Sequence, residues 1–160
     1  MEIRRIDANE FLRYKDIIAK QLDLYTRNDF PDYRIDENNG RNKCDELEHY
    51  LVSGSAVLFA ALQEDELTGF AWCHPIMRFQ DRFFHVAYII VLEACRGQGI
   101  GNELMEHIEA YAKDNGYLGI DLFCTASNKE AESLYRKKGF VSERYLMTKR
   151  IDNVKNTDLE

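Results

Sequence analysis

Proline occurs twice in these 160 residues, tryptophan once, and the four cysteines are scattered. Cys44, Cys73, Cys95 and Cys124 include no pair at the short spacing of a zinc or thiol-redox site. Cys73 and Cys124 lie in apolar stretches and read as small core residues, and Cys95 sits beside the Arg96 cation. All four read as structural. Positive charge is in deficit, with 21 Lys and Arg against 28 Asp and Glu, a net charge of −7. That argues against nucleic acid as the main partner. It is compatible with an amine substrate, although such a charge also simply keeps a protein in solution. No apolar run approaches the roughly 20 residues that span a membrane. The start, Met1-Glu2-Ile3-Arg4-Arg5, lacks the apolar stretch of a signal peptide. A cytoplasmic protein with reduced thiols is therefore expected. Internal repeats and low-complexity segments are also missing. The length suits one domain over residues 1–151, followed by a polar tail over 152–160.

What is present centres on residues 84–112. Residues 86–92 are almost wholly apolar, which predicts a strand covered on both faces. Arg96-Gly97-Gln98-Gly99-Ile100-Gly101 then turns the chain. A helix follows, with Ile100, Leu104, Ile108 and Ala112 four apart on one face. The first N–H groups of a helix have no internal partner, and the helix dipole adds partial positive charge there. Glycines let a ligand approach the main chain, and an arginine adds a forked cation. Strand, glycine turn, helix start and arginine together suit a pyrophosphate. Without a ligand, each such glycine weakens a helix start by about 0.5–1 kcal/mol.

The ligand is not a nucleoside triphosphate in a P-loop, because no Lys-Ser or Lys-Thr follows the last glycine. The Gly-x-Gly-x-Gly spacing also differs from that of dinucleotide folds. Asp121 lies twenty positions after Gly101, where such a fold places its ribose-binding acid. Those folds open on their glycine turn, however, and here roughly half the chain precedes it.

These residues resemble a known family. Arg96-Gly97-Gln98-Gly99-Ile100-Gly101 is similar to the acyl-CoA signature of the GNAT-type N-acetyltransferases, Gln/Arg-x-x-Gly-x-Gly/Ala. Asn128, Ala131, Leu134-Tyr135 and Gly139-Phe140 resemble that family's second pattern, Asn-x-x-Ala-x-x-Leu-Tyr-x-x-x-Gly-Phe. The close resemblance covers residues 84–150, and the first half matches in the order of its elements. It implies the GNAT-type acyl-CoA N-acyltransferase fold, an α/β architecture with a central, mostly antiparallel mixed sheet flanked by helices.

The local signals fit that order. A strand is expected over 3–6, with Asp7 and Glu10 as a capping pair. Phe11, Tyr14, Ile18, Leu22 and Tyr25 then follow helical spacing. Residues 27–43 read as a long polar loop and 44–52 as a short helix. Strands over 56–62, 68–77 and 86–92 make an antiparallel meander, with Pro75 at an edge or end. After the helix over 100–113 come a stop at Asn115-Gly116 and a strand over 117–125. Ser127 and Glu130 suggest a cap for the next helix, which buries Ala131, Leu134 and Tyr135. Residues 140–151 read as a last strand. The family usually ends in a hairpin of two strands; here there is room for a very short hairpin or one long bent strand.

The resemblance also implies roles. The main chain of Ile89, Ile90 and Val91 pairs with the pantetheine arm of acetyl-CoA, and one N–H polarises the thioester. Arg96, Gly97, Gln98, Gly99, Ile100, Gly101 and Asn102 hold the pyrophosphate. Asn128 touches the pantetheine, caps its own helix, or does both. Tyr135 is the general acid, since a phenol with pKa near 10 suits a leaving thiolate. His85 and Asp121 are the base candidates, with Tyr88 or a water chain as substitutes and His74 further off. Tyr25, Phe30 and Tyr33 line the acceptor pocket. No metal is implied.

The function expected is acetyl-CoA-dependent acetylation of a primary amine by direct transfer in a ternary complex. The acceptor is a small amine or a protein amino group. A homodimer through a strand edge or an apolar face is left open. Two alternatives remain: a catalytically silent CoA-binding sensor or subunit with the same fold, and a dinucleotide-dependent oxidoreductase.

Overall fold

In the computed structural model of the chain, the described residues are 1–151. The elements run β1 (Glu2–Ile6), α1 (Ala8–Asp29), α2 (Asn39–Ser53), β2 (Val57–Gln63), β3 (Glu66–Arg78), β4 (Asp81–Val91), α3 (Ile100–Asp114), β5 (Gly119–Leu122) and α4 (Lys129–Lys137). A 3-10 turn at Glu93–Cys95 joins β4 to the glycine turn. The five strands stand side by side in chain order. β1 to β4 are antiparallel to their neighbours, and β5 runs parallel to β4. This is the mixed, mostly antiparallel sheet flanked by helices that the two motifs imply.

Two cores explain why the middle strands lack polar alternation. On one sheet face, Phe11, Tyr14, Ile18 and Leu22 of α1 and Leu47 of α2 pack on Leu58, Ala60, Phe70 and Trp72. On the other, Ile100, Leu104, Met105 and Ile108 of α3 pack on Phe59, Ala61, Ala71, Cys73, Phe84 and Val86. Odd and even positions of β2 and β3 are both buried, as in any strand with helices on each side. Asp7 caps α1 as expected, accepting from the Glu10 N–H at 2.8 Å.

Four expectations need correction. First, α2 begins at Asn39, five residues before Cys44, so the connection after α1 is shorter than expected. Asn38-Asn39-Gly40, inside the stretch expected to be loop, is the start of a helix. Gly40 is there because α1 and α2 touch: a Cβ on it would stand 2.0 Å from the Ala19 carbonyl oxygen. Second, β4 begins at Asp81, ahead of the expected 86, while Pro75 sits at an edge as expected, inside β3 rather than at its end. β2 stops pairing with β3 at Cys73, so β3 is an edge on that side at Pro75, where a proline is tolerated.

Third, β5 has four residues, and Cys124, expected in a strand core, lies exposed beyond it. Fourth, residues 140–151 form no strand. A strand exists through its ladder, and this stretch has β-compatible side chains but no ladder partner among the described residues. It is tied down instead by side chains: Arg78 with Glu143, Arg136 with Ser142 at 3.1 Å, and Arg150 stacked 4.9 Å above the Tyr33 ring. The polar tail over 152–160 lies outside the described residues.

The α1–α2 contact yields a stability test. Gly40→Ala forces a methyl group against backbone and should cost about 3 kcal/mol. In thermal unfolding that is a fall of about 6–12 °C, and a change below about 2 °C would contradict the close contact.

Candidate active site

The site begins where β4 and β5 part. They pair from Phe83↔Gly119 to Val86↔Leu122, and β4 then continues to Val91 without β5. On its other side β4 stays bonded to β3 up to Gly69↔Val91. The stretch from Ala87 to Val91 therefore presents a backbone edge to an open wedge, whose far wall is Phe123, Cys124 and Thr125. Ile89, Ile90 and Val91 lie along this edge, where the sequence places them.

The glycine turn closes one end of the wedge. Gly97 has φ 76° and Gly99 has φ 82°, a left-handed backbone that side-chain-bearing residues resist. Gly99 is the N-cap of α3 and has no side chain with which to cap it. The first helical bond is Glu103 N–H to the Gly99 carbonyl at 3.1 Å. The N–H groups of Ile100, Gly101 and Asn102 precede it and have no carbonyl within the helix to bond. Arg96 leans back to the strand, its Nε donating to the Val91 carbonyl at 3.3 Å. Asn102 donates to Glu106 at 2.7 Å, and Glu106 in turn pairs with Lys138 of the α4 end at 3.0 Å.

α4 supplies Asn128 and Tyr135. Asn128, not Ser127, is the cap: its Oδ1 accepts from the Ala131 N–H at 3.2 Å. Ala131, Leu134 and Tyr135 are half-buried rather than fully buried. Tyr135 packs with the α3-side core and 5.8 Å from the Phe140 ring. Burial, reinforced by Cys124, Tyr25 and Asp29, raises its hydroxyl pKa well above the ordinary phenol value. Tyr25 and Asp29 belong to α1, on the opposite sheet face. Tyr135 senses them because the strands have parted.

Tyr25 meets the Tyr88 ring edge-on at 5.6 Å. Burial, with help from Asp29, pushes its hydroxyl up to about 12, while Thr125 pulls the other way. Phe30 and Tyr33 make a separate edge-to-face pair at 5.8 Å, 40% and 55% exposed. The structure thus brings Tyr25 to the wedge and leaves the other two at its outer margin.

His85 and Asp121 are paired by register and by contact, with Nδ1 to Oδ1 at 2.8 Å. An ionised carboxylate can only accept, so Nδ1–H donates, and in the neutral tautomer that this bond selects the lone pair is on Nε2. A bulge at Ala87 decides where this pair looks. Trp72 opposes Tyr88 and Cys73 opposes Val86, so β4 carries one extra residue. His85, opposite His74, therefore shares a face with Tyr88, opposite Trp72. The His74 ring lies 5.1 Å from His85, and Phe123 at 5.5 Å. Arg78 adds a weaker contact to Asp121 at 3.7 Å.

Sequence reasoning missed Asp29 as a member of this cluster, because it falls in the 27–43 stretch read as a polar loop. It is the last residue of α1, and its Oδ2 is buried without a hydrogen-bond partner among the described residues. Buried Cys44 and Cys73 fit the structural reading, since burial raises both thiols well out of the nucleophilic range.

Residues 18–140 match the Acetyltransferase (GNAT) family, and the chain belongs to it. One curated relative is the mycothiol acetyltransferase of Corynebacterium efficiens, 31% identical over 84 residues. That match takes in 52% of this chain but 27% of the relative, so the chain spans a small part of its length. Among solved structures, a tetramutant of the BH1408 protein from Bacillus halodurans has TM-score 0.79 at 18% identity, covering 94% of this chain and all of that one (100%). A predicted acetyltransferase from Clostridium acetobutylicum, solved with acetyl-CoA, has TM-score 0.73 at 15% identity, covering 93% and 95%. Among the described residues, no helix is long and apolar enough to cross a membrane.

The raised tyrosines predict a pH dependence. A folded-state pKa above the unfolded value of about 10 means that unfolding releases protons at high pH. The two tyrosines should leave stability unaffected below about pH 10 and lower it above, by up to about 1.4 kcal/mol per pH unit each, on top of the fall that the raised Cys44 and Cys73 thiols begin near about pH 8.5. Denaturant titrations between about pH 9 and 12 should show this slope, shallower in Tyr25→Phe and in Tyr135→Phe. Equal slopes in all three proteins would contradict it.

Proposed function

We propose that this chain transfers the acetyl group of acetyl-CoA to a primary amine by direct attack in a ternary complex. The observation that carries this reading is the wedge itself. An unpaired β4 edge leads straight to a glycine turn with uncommitted helix N–H groups, and a protonated tyrosine stands beside the opening. A long thiol-bearing chain ending in a pyrophosphate fits that shape from end to end.

In this reading the edge formed by Ile89, Ile90 and Val91 bonds the pantetheine amides. One of its N–H groups meets the oxygen that becomes negative as the amine attacks, a contribution of a few kcal/mol in comparable sites. The bare backbone from Gly97 to Gly101, with Arg96 and Asn102, takes the pyrophosphate. Asn128 has its oxygen committed to the cap, which leaves its NH2 group for the pantetheine. The raised pKa of Tyr135 keeps it protonated at neutral pH, the form that gives a proton to the departing thiolate. His85, with Asp121 fixing its tautomer, accepts a proton from the amine side. No cysteine is needed as a nucleophile.

The mycothiol acetyltransferase likeness supports the reaction class, and the acetyl-CoA in the Clostridium structure supports the donor. Neither specifies the acceptor. The silent CoA-binding alternative predicts the same ligand without turnover.

Thermal unfolding with acetyl-CoA, and with NADH as control, tests the reading. Acetyl-CoA at about 100 times its dissociation constant should add about 2.7 kcal/mol. That corresponds to about 5–11 °C, with no shift from NADH. No shift at millimolar acetyl-CoA would sink the proposal. If an amine is then turned over, Tyr135→Phe should lower kcat by about 100-fold and leave the acetyl-CoA shift in place. An unchanged kcat would remove Tyr135 from its role.

A further inference from the structure

We propose that Asp29 is the acceptor-binding residue and that the acceptor is a protonated amine carried on an apolar or aromatic body; this rests on the acetyl-transfer reading above. Two independent features of Asp29 make a cation its fitting partner. It ends a 22-residue helix, where the backbone carbonyls already concentrate negative charge. Its Oδ2 is also buried with no hydrogen-bond partner among the described residues. Buried polar atoms in folded proteins are almost always satisfied, so an orphan facing a wedge marks a place for a ligand.

Neighbouring cations are spoken for. Arg27 binds Asp23 at 2.8 Å and the Asp36 carbonyl at 3.1 Å. Lys43 donates to Thr26 at 2.9 Å and lies 5.0 Å above the Tyr88 ring. By contrast, the other acid in the last two turns of α1, Asp23, is held by both Arg27 and Asn39. A metal is not the fitting cation, because among the described residues no group of three His, Cys, Asp or Glu side chains could hold one.

The surroundings define the acceptor. Asp29 lies beside the Tyr25 hydroxyl and within electrostatic reach of Tyr135 and Cys124, at the wedge where acetyl transfer would occur. The Tyr25 and Tyr88 rings, set edge to face, provide apolar and cation-attracting surface next to the carboxylate. Lys43 above Tyr88 repels a second positive charge on that side. The chemistry recognised is thus a single ammonium group at the carboxylate, with an uncharged body lying against tyrosine. Asp29 anchors and orients the amine, while the proton leaves through a separate base.

Binding of phenethylamine and of its neutral analogue phenethyl alcohol is compared in the unmodified protein and in Asp29→Asn, by ligand-observed NMR titration. The acetyl-CoA thermal shift is measured in parallel. The amine should bind the unmodified protein about tenfold tighter than the alcohol, a preference that Asp29→Asn removes and Asp29→Glu partly restores. Asn is isosteric and its Oδ1 can still accept from the Tyr25 hydroxyl beside it, so Tm should stay constant or rise. The acetyl-CoA shift should be equal in both proteins. An unmodified protein without amine preference overturns the proposal, as does an Asp29→Asn protein that keeps the preference. A clear fall in Tm for Asp29→Asn also overturns it, since the carboxylate would then be structural. Failure of the acetyl-transfer reading shows separately, as the loss of the acetyl-CoA shift in every variant, and it leaves the amine comparison readable.

Discussion

Strands β4 and β5 share four residue pairs and then diverge, while β4 runs on to Val91 along its bonded neighbour β3. An unpaired strand edge inside a sheet leaves backbone donors and acceptors without their usual partners. The chain could have filled the gap by bonding β5 further along. It places the exposed Phe123 and Cys124 there instead, followed by a turn into α4. Because the gap persists, groups from opposite faces of the sheet interact through it. Tyr135, rooted in the α3-side core, has its hydroxyl raised by burial and, to a lesser extent, by groups that include Tyr25 and Asp29, rooted in the α1-side layer. A continuous sheet would insulate them.

Two local irregularities aim side chains at this opening. The bulge at Ala87 restores to one face residues that strict alternation would send to opposite faces. His85 and Tyr88 are three apart in sequence, yet both look toward the α1 layer. The second irregularity is the tight α1–α2 contact at Gly40. Bringing α2 against Ala19 lets Lys43 and Asn39 reach back to the end of α1, where they bond Thr26 and Asp23. That end of α1 carries Tyr25 and Asp29. The placement of the proposed acceptor wall therefore depends on a residue with no side chain.

Much of this was legible in the sequence. The glycine turn could be read because positive φ and a bare backbone leave glycines as their signature, and Gly97 and Gly99 have the positive φ. Heptad-like spacing gave α1 and α3, whose burial follows the apolar positions. Asp121 and His85 could be singled out as titratable residues in apolar strands, but their contact needed the β4–β5 register, a long-range pairing with no local trace. The start of α2 was misread because Asn-Asn-Gly is turn chemistry in isolation, and a tertiary contact overrides it. The stretch after Gly139 was misread because its composition favours a strand, and composition cannot supply a neighbour to pair with. Asp29 went unrecognised because an acid near a loop is ordinary. Its oddity lies in burial and in the end of the helix it occupies.

The features that weaken the fold are not scattered. Left-handed backbone at Gly97 and Gly99, uncapped N–H groups at the start of α3, an unpaired stretch of β4 and a carboxylate at the wrong end of α1 with one oxygen unpartnered among the described residues all border one wedge. Local rules broken for no benefit would be removable by common substitutions, each gaining a fraction of a kcal/mol to about 2 kcal/mol. Their coincidence is better explained by one ligand pair that satisfies them together. The positive end of α3 and the negative end of α1 face the wedge from different layers. An anionic donor and a cationic acceptor entering from those two sides would each meet the opposite charge, with the reacting groups meeting between them. The helix dipoles would then orient both substrates.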